Sequence, residues 1–305
     1  MNFTATSKVL IQGITEPLGS AYTPLMTNYG TRVVAGVSPG CGGQKIGGIL
    51  VFDMVEQALA QIGPVDTTVL FVHPYQTLDA ALEAIAAGIR HIIIITEGVP
   101  PLDMVHLLRK AEATETLIVG PTSPGIIVPG QVLLGTHPSE FYTPGPVGII
   151  SRSGTLTYEV ALELTRCNLG QSISVGIGSD AIVGSSFSQW LQILDEDENT
   201  EVIVLIGEIG GDGEELAARY VSEAIDKPVV AYIAGQHAPR GKHLGHASAI
   251  IASQIATGIQ DAVYVPDSSS VENKIAAMKR AQIPVADRPS QIPDLVRQVL
   301  VRKSA

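Results

Sequence analysis

The stretch HIIIITEGVPPLDMVHLLRKAEATETLIVG, residues His91–Gly120, predicts the fold of the first half of the chain. Its isoleucine run, His91–Thr96, has the length of a strand. Pro101–Glu112 predicts a helix with proline in its first turn, and Thr116–Gly120 predicts a second strand. The strand residues are continuously apolar, which is typical of a parallel sheet covered on both faces. The stretch is therefore expected to form a βαβ unit.

The same alternation extends back to the beginning of the sequence. We expect, in chain order, strand Lys8–Gln12, a turn over Gly13–Gly19, a helix to about Tyr29, strand Thr31–Val37, helix Asp53–Ile62, strand Thr68–Val72 and helix Thr77–Ala87. Asp53 is the expected N-cap of its helix.

A segment with six prolines, Pro121–Pro146, interrupts the pattern and is interpreted as an inter-domain connection. A second alternation follows it. We expect strands at Val147–Ile150, Ser172–Gly176, Glu201–Ile206 and Pro228–Ala234, and helices at Thr155–Cys167, Ser186–Leu194, Gly213–Ala224, Val271–Ala281 and Pro293–Val301. The predicted fold class is α/β, with two mainly parallel sheets in domains 1–125 and 147–305 joined by 126–146.

Composition narrows the class of protein further. The chain has 305 residues, of which 45% are hydrophobic and 16% charged, so a disordered chain is excluded. No apolar run approaches the roughly 20 residues that span a bilayer, and the N-terminus lacks the pattern of a signal peptide. The two cysteines, Cys41 and Cys167, cannot build a disulfide framework. We therefore expect a cytoplasmic protein without a membrane partner.

The charge balance excludes nucleic acid as an expected partner. The net charge is −11, and residues 1–145 hold 6 Lys and Arg against 11 Asp and Glu, so acidity is not confined to one half. No basic stripe interleaved with aromatic residues is present. An anionic ligand must then be held by backbone N–H groups, helix N-termini or single basic side chains.

Two loops of the first half follow strands, where open parallel sheets bind ligands. Gly13–Gly19 occupies the position of a Rossmann phosphate loop, but Pro17 lacks an N–H and Glu16 adds negative charge, so a plain tight turn is the alternative. The loop Pro39–Lys45 combines glycines with one lysine, which suits a phosphorylated ligand. Its alternative interpretation is a connection without a ligand.

Two loops of the second half carry more chemistry. Ser151–Thr155 precedes a helix whose first N–H groups can bind phosphate, and simple helix capping by Ser153 or Thr155 uses the same geometry. His246 lies among small residues, and Glu208 follows an apolar strand with glycines on both sides. A carboxylate bonded to one imidazole nitrogen leaves the other free as a nucleophile. No zinc or iron ligand spacing is present in the sequence.

Several of these segments resemble one protein family, the α subunit of succinyl-CoA synthetase (succinate–CoA ligase, ADP- or GDP-forming). The resemblance extends over nearly the whole chain to about Ser253. Its motifs are SRSGTLTYE at Ser151–Glu159, IGEIGG at Ile206–Gly211, YIAG at Tyr232–Gly235, GHASAI at Gly245–Ile250, ITEG at Ile95–Gly98 and LDM at Leu102–Met104.

The resemblance implies a Rossmann-like CoA-binding domain, a flavodoxin-like ligase domain and a reaction of the tricarboxylic acid cycle. Succinate, CoA and a nucleoside triphosphate are interconverted with succinyl-CoA, the diphosphate and phosphate. His246 resembles the histidine that is transiently phosphorylated, and Glu208 the carboxylate that orients it. Ser153, Gly154 and Thr155 match the helix N-terminus that holds the phosphohistidine. Tyr158 matches a residue near the substrate carboxylate.

The resemblance also implies cofactor contacts and a partner. The positions matching CoA contacts are Gly13, Thr15, Glu16, Pro17, Leu18, Gly19, Cys41, Lys45, Thr96, Glu97 and Gly98. ADP/ATP or GDP/GTP with Mg²⁺ is expected on a separate ATP-grasp β subunit, in an αβ or α2β2 assembly. This division agrees with the absence of a P-loop motif from the sequence.

The chain departs from the family pattern mainly in its CoA loops. Glu16, Pro17 and Leu18 stand where the family has glycine, serine and glutamine, and Cys41 replaces a lysine. Thr122 and Ser123 replace an Asn-Cys pair, and residues 254–273 form an insertion. These departures predict weakened CoA binding. They leave open a non-catalytic or regulatory homologue, or a ligase for another carboxylic acid.

An NAD-dependent dehydrogenase is disfavoured. The first-loop glycine pattern is wrong, and Val37-Ser38-Pro39 stands where an acidic residue should bind the ribose.

Overall fold

The computed structural model describes residues 3–236 and 270–303. The chain divides into two compact units. Unit 1 consists of Met1–Ser139 with the short segments Val175–Gly178 and Ile182–Ser185, and unit 2 contains the remainder.

Unit 1 contains a sheet of seven strands with four helices. The strands are β1 (Lys8–Gln12), β2 (Arg32–Val37), β3 (Lys45–Ile46), β4 (Ile49–Phe52), β5 (Thr67–Leu70), β6 (His91–Ile94) and β7 (Leu117–Val119). Their order in the sheet is β3-β4-β2-β1-β5-β6-β7, and all pairs are parallel except β3 with β4. The helices are α1 (Pro17–Tyr29), α2 (Val55–Ile62), α3 (Thr77–Ala86) and α4 (Pro101–Ala113).

The βαβ unit predicted from His91–Gly120 is confirmed, with β6 and β7 parallel and α4 between them. The isoleucines of β6 are almost completely buried, and two of them, Ile92 and Ile94, share a core with Leu10, Leu70 and Leu107. Burying each such side chain contributes about 1.5–3 kcal/mol, which explains why continuous apolar runs become central strands.

Two details of this half differ from expectation. The hairpin β3–β4 was not predicted, because glycines surround a short apolar run, Ile49–Phe52, that carries the strand signal alone. Helix α2 begins at Val55, after the N-cap residue Met54. The Asp53 carboxylate accepts hydrogen bonds from the Gly40 and Gly42 N–H groups instead of capping the helix.

The proline-rich segment that we interpreted as a connection contains an antiparallel hairpin. Its strands, β8 (Gly125–Val128) and β9 (Val132–Gly135), belong to unit 1. The Gln131 N–H donates to the Val128 carbonyl across the turn (3.0 Å). Two apolar runs separated by the three residues Pro129-Gly130-Gln131 are a hairpin signal that the proline content masked.

Unit 2 is built on the second sheet. Its strands are β10 (Pro144–Ser151), β11 (Gln171–Gly176), β12 (Val202–Gly207), β13 (Val229–Ile233) and β14 (Val285–Ala286), in the order β14-β13-β12-β10-β11. The strands β10, β12, β13 and β14 pair in parallel. The helices are α5 (Gly154–Arg166), α6 (Phe187–Glu196), α7 (Gly213–Ala224), α8 (Val271–Arg280) and α9 (Ile292–Lys303). The α/β class with two mainly parallel sheets is confirmed.

Within the described ranges, no helix is both long enough and apolar enough to cross a membrane.

Candidate active site

Three loops of unit 2 leave the same edge of its sheet. Strand β10 is in register with β12 at Ser151 and Ile206, and β12 is in register with β13 at Gly207 and Ile233. Parallel strands end on one side, so the segments that follow β10, β12 and β13, the last as far as Gln236, begin at the same edge. The Arg152 N–H donates to the Ile206 carbonyl (3.0 Å), which joins the first two loops directly.

The first of these loops ends at the N-terminus of α5. Ser153 is the N-cap residue, with φ −106° and ψ 125°, but its side chain makes no capping hydrogen bond. Its N–H donates to Ser151 Oγ (3.0 Å), and the Thr157 hydroxyl donates to its carbonyl. Capping by the Ser153 side chain is therefore wrong. The helix-start N–H groups can serve an anion instead, which is the function that helix N-termini commonly have.

Gly154, the first residue of α5, has open space where a side chain would begin. A Cβ placed there would meet no heavy atom of the described residues within 4 Å. Thr155, next along the helix, is exposed, whereas Ser153 is buried. The missing side chain leaves the backbone N–H groups of this turn accessible to a phosphoryl group.

Arg152 adds a positive charge that the sequence analysis did not single out. Its guanidinium is half-buried, and one terminal nitrogen donates to the Asp180 carbonyl (2.6 Å). Its backbone directly precedes the N-cap residue Ser153, while its guanidinium is bound at the Asp180 carbonyl. The sequence signal for Arg152 was its position inside the SRSG motif, of which the sequence analysis used only the serines and the glycine.

The second loop, after β12, carries Glu208. Gly207, the last residue of β12, allows the Glu214 side chain to pack closely, because a Cβ there would lie 2.5 Å from Cγ of Glu214. Gly210 and Gly211 adopt φ values of 88° and 69°, a region that favours glycine. The glycines of IGEIGG therefore serve the backbone, and Glu208 is the one charged side chain that they present.

Two buried charges lie beneath this loop. Oε1 of Glu214, in the first turn of α7, accepts the Glu208 N–H (3.0 Å). The Lys274 ammonium, on α8, donates to Oε2 of Glu214 (2.5 Å) and to the carbonyls of Glu208 and Gly210 (2.7 Å each). Both side chains are essentially inaccessible, at 0% and 1% exposure. Sequence reasoning missed both, since a single Lys and a single Glu in helices normally predict solvent-facing positions.

Two titratable groups on elements next to the Glu208 loop, Glu215 on α7 and Tyr232 on β13, have shifted pKa values. Burial raises the pKa of Glu215, and Lys274 opposes that rise. Burial, helped by the negative charge of Glu159, raises the pKa of Tyr232 on β13. Tyr158 lies half-buried in α5, four residues after Gly154. The phenol of Tyr232 is thus held neutral over a wide pH range on the strand beside Glu208.

His246 lies outside the described residues. The structure describes the chain up to Gln236, three residues after β13 ends, and again from Ser270. The role assigned to His246 therefore stays a prediction. The described loops supply the two elements assigned to its neighbourhood, Glu208 and the N-terminus of α5.

The first predicted CoA loop, in unit 1, is a close backbone approach. Gly13 has φ 77°, and its N–H donates to the Val37 carbonyl (2.8 Å). A Cβ at Gly19 would lie 2.1 Å from the Gly13 carbonyl oxygen, so only glycine fits there. Helix α1 begins at Pro17 with Glu16 as N-cap residue, and no side chain caps it. The Thr15 and Ser38 hydroxyls share a hydrogen bond of 2.5 Å, and Leu18 is exposed.

The second predicted CoA loop is shaped by Asp53. One carboxylate oxygen, Oδ1, accepts the N–H groups of Gly40 (2.8 Å) and Gly42 (2.9 Å). Cys41 lies between these glycines and is half-buried, while Lys45 is exposed on β3. Asp53 therefore fixes the loop that contains Cys41, one of the departures from the family pattern. The sequence had predicted a helix cap at Asp53 and not this contact.

The third predicted CoA segment follows β6. Thr96 is buried, its hydroxyl donates to the Val72 carbonyl (2.8 Å), and its own carbonyl accepts the Thr122 N–H (2.9 Å). Glu97 is exposed and Gly98 has φ 75°. The structure thus places this segment beside the loop after β5 in unit 1.

A metal centre is not indicated in the described part of the chain. No group of three or more His, Cys, Asp or Glu side chains lies close enough together there to hold an ion.

Comparison with known families identifies two domains in the order that the fold suggests. The model described as "CoA binding domain" matches residues 4–98, and the one described as "CoA-ligase" matches residues 150–263. Fold, glycine-rich loops and these matches define a CoA-binding ligase.

Curated relatives specify the family. The chain is 42% identical to the succinate–CoA ligase (ADP-forming) subunit alpha 2 of Archaeoglobus fulgidus. The match covers 96% of this chain and 97% of that relative. It is 41% identical, over 96% of this chain and 92% of the relative, to the alpha subunit from Aquifex aeolicus. The chain belongs to the family of succinate–CoA ligase alpha subunits.

Solved structures share the fold. The structure of ATP citrate lyase from Methanothrix soehngenii in complex with citrate and coenzyme A superposes with a TM-score of 0.83 at 22% identity. The match covers 99% of this chain and 51% of that one.

Proposed function

We propose that this chain is the α subunit of an NDP-forming acyl-CoA ligase of the succinate–CoA ligase type. The supporting observation is the edge of the unit 2 sheet, where Glu208 and the uncapped N-terminus of α5 leave adjacent strands. The curated relatives, similar over nearly their whole length, carry the name of that activity.

In the proposed reaction, phosphate attacks the thioester carbonyl of succinyl-CoA, which gives succinyl phosphate and the CoA thiol. An imidazole nitrogen of His246 then attacks the phosphorus, and succinate leaves. The phosphohistidine passes its phosphoryl group to a nucleoside diphosphate and regenerates the free histidine. The reverse sequence consumes the triphosphate to form the thioester.

Each described site residue has a role in this proposal. The Glu208 carboxylate accepts the N–H of one imidazole nitrogen and leaves the other with its lone pair toward phosphorus. The N–H groups at Ser153, Gly154 and Thr155 stabilise the phosphoryl oxygens, helped by the helix dipole. Tyr158 contributes to the pocket for the succinate carboxylate.

In unit 1 the proposal assigns CoA to the loops Gly13–Gly19 and Pro39–Lys45 and to Thr96–Gly98. The α1 N-terminus, without a side-chain cap, offers backbone N–H groups to phosphates. In the second loop the N–H groups of residues 40–44 are bonded within the protein, so the exposed Lys45 is the group proposed to meet a phosphate there. We propose residues 1–125 as the CoA-binding domain, 147–305 as the ligase domain and 126–146 as their connection. Both family matches fall inside these limits.

The named relatives are alpha subunits, so a β subunit is the implied partner. We propose an ATP-grasp β subunit that binds the nucleotide with Mg²⁺, in an αβ or α2β2 complex located in the cytoplasm. Whether the β subunit selects ADP or GDP is measured by the same experiment as the reaction.

The test is phosphorylation of the αβ complex. We expect γ-labelled ATP or GTP, with Mg²⁺, to leave acid-labile, base-stable label on the α chain, and succinate with CoA to discharge it. His246→Ala removes the labelled group, and His243→Ala is a matched control from the same loop sequence. Label that survives His246→Ala contradicts the proposal. A complex that binds CoA but takes no label favours the regulatory alternative, and discharge by another acid favours the other-substrate alternative.

A further inference from the structure

The loop that carries Glu208 is held from below by a buried ion pair, Lys274 with Glu214. The ammonium makes three hydrogen bonds, to Glu214 Oε2 and to the carbonyls on either side of Ile209. An ammonium group has three donors, so this position satisfies all of them. The arrangement is complete without any further ligand.

The pair constrains Glu208 on both sides of its Cα. Glu214 Oε1 accepts the Glu208 N–H (3.0 Å), and Lys274 donates to the Glu208 carbonyl (2.7 Å). These two contacts fix both peptide groups of Glu208. The Cα of Glu208, and with it the starting point of the side chain, is therefore fixed. Both contacts use backbone atoms of Glu208 and leave its carboxylate out.

A buried ion pair is a poor way to gain stability. Two charges lose their hydration, and apolar residues of similar volume often serve equally well or better. The pair instead positions the loop backbone, because the ammonium binds two loop carbonyls that an aliphatic side chain would leave without a hydrogen bond. The loop has glycines at 207, 210 and 211 and so has little stiffness of its own.

We propose that Lys274 and Glu214 are positioning residues for the phosphohistidine chemistry, acting through the backbone of Glu208. The inference rests on the proposed function of Glu208 as the carboxylate that orients His246. A displacement of about 1 Å in a catalytic group can cost on the order of 100-fold in rate. Loss of the pair should therefore slow phosphorylation while leaving nucleotide and CoA binding unchanged.

Two variants separate positioning from folding. Lys274→Met removes the ammonium but leaves the Glu214 carboxylate buried, so it is expected to be destabilised. The double variant Lys274→Met with Glu214→Leu removes both charges and keeps the volume apolar, so it is expected to fold. Lys279→Met is the matched control, because Lys279 is an exposed lysine on the same helix.

Two measurements are made on each protein. Hydrogen exchange of the full chain follows the peptide that contains Glu208, and rapid-quench labelling of the αβ complex follows phosphohistidine formation. For the double variant we expect faster exchange at Glu208, labelling about 100-fold slower, and an unchanged apparent KM for the nucleotide. The control should match the wild-type protein in both.

Each result decides the inference. A folded double variant that labels at the wild-type rate overturns it, whatever its exchange shows. Slow labelling with unchanged exchange at Glu208 also overturns it, because the loss then does not act through the loop. If the wild-type complex takes no label, the proposed function fails. The exchange data alone then decide whether the pair fixes the loop.

Discussion

Two helices, one in each unit, have a glycine in their first turn for opposite reasons. Gly19 in α1 packs so tightly that a Cβ would lie 2.1 Å from the Gly13 carbonyl oxygen. A Cβ at Gly154 in α5 would meet no heavy atom within 4 Å in the part of the chain that the structure describes. The first glycine is required by the packing of α1 on its own loop, and the second is not required by packing at all. An open glycine at an uncapped helix start is what a bound anion needs.

The loops of the two units are also held differently. In unit 1, the loop at Gly40–Gly42 is bound by the Asp53 carboxylate, whose N–H partners are exposed. In unit 2, the Glu208 loop is bound by a fully buried lysine and glutamate. A surface contact tolerates substitutions around it, whereas a buried charge pair does not. This contrast fits the sequence, which departs from the family pattern in the unit 1 loops and keeps the unit 2 motifs.

Glu208→Gln is expected to have the largest effect. The amide keeps the size of the side chain but removes the charge that orients and stabilises the imidazole. We expect the rate of phosphohistidine formation to fall by about 10²–10⁴, with CoA affinity unchanged. Quenched-flow labelling and calorimetric CoA titration of the same complex check this. Equal losses in both would mean that the two regions are not functionally separate.

Acid should destabilise unit 1 through His137. Burial lowers the pKa of this histidine to about 4 from the ordinary 6.5, and its Nε2 donates to the Gly125 carbonyl (3.1 Å). The folded state then binds the proton more weakly than the unfolded state does. The associated stability is complete above pH 6.5 and is lost as pH falls to about 4, a total of about 3 kcal/mol.

The measurement is denaturant unfolding between pH 7 and pH 4, followed by hydrogen exchange of peptides from unit 1. The control, His137→Gln, keeps a neutral donor and should reduce the pH dependence in this window. A smaller dependence should remain from His91, whose pKa burial also lowers. A variant with the wild-type slope would show that another group is responsible. Unit 2 has no histidine among its described residues, so its described peptides should show little of this effect.

Gly19→Ala and Gly154→Ala test the comparison of the two glycines. Gly19→Ala forces a methyl group against a backbone oxygen, so the free energy of unfolding should fall by about 1–3 kcal/mol. Gly154→Ala meets no atom of the described ranges and should leave that free energy within about 0.5 kcal/mol of the wild type. Chemical denaturation measures both. The Gly154 variant should still label more slowly, because the methyl group occupies space proposed for the phosphoryl oxygens.

The smallest expected effect is a gain of function in unit 1. Cys41→Lys restores a cation in a loop whose backbone Asp53 already fixes. A single charge-assisted contact with a phosphate should tighten CoA binding by about tenfold, or about 1.4 kcal/mol. The gain should shrink as salt is raised. Calorimetry at two salt concentrations checks it, and Cys41→Ser, which adds no charge, should bind CoA like the wild type.

The parts of the fold that sequence predicted share one property. Long apolar runs such as His91–Thr96 become buried strands because their burial dominates local energetics. The β3–β4 and β8–β9 hairpins were missed because short strands beside glycine and proline have weak local signals. Lys274 was missed for a different reason. Its burial depends on two carbonyls and a carboxylate at least 60 positions away, and no local pattern encodes such a partner.

The same lysine bears on where the ligase domain can be cut. The family match ends at residue 263, whereas Lys274 lies beyond it on α8. A fragment trimmed to the matched boundary would retain Glu214 in the interior without its counterion. A fragment of the ligase domain made for expression therefore has to extend through the last helices. A chimaera that exchanges the C-terminal segment must carry a lysine at the position that corresponds to 274.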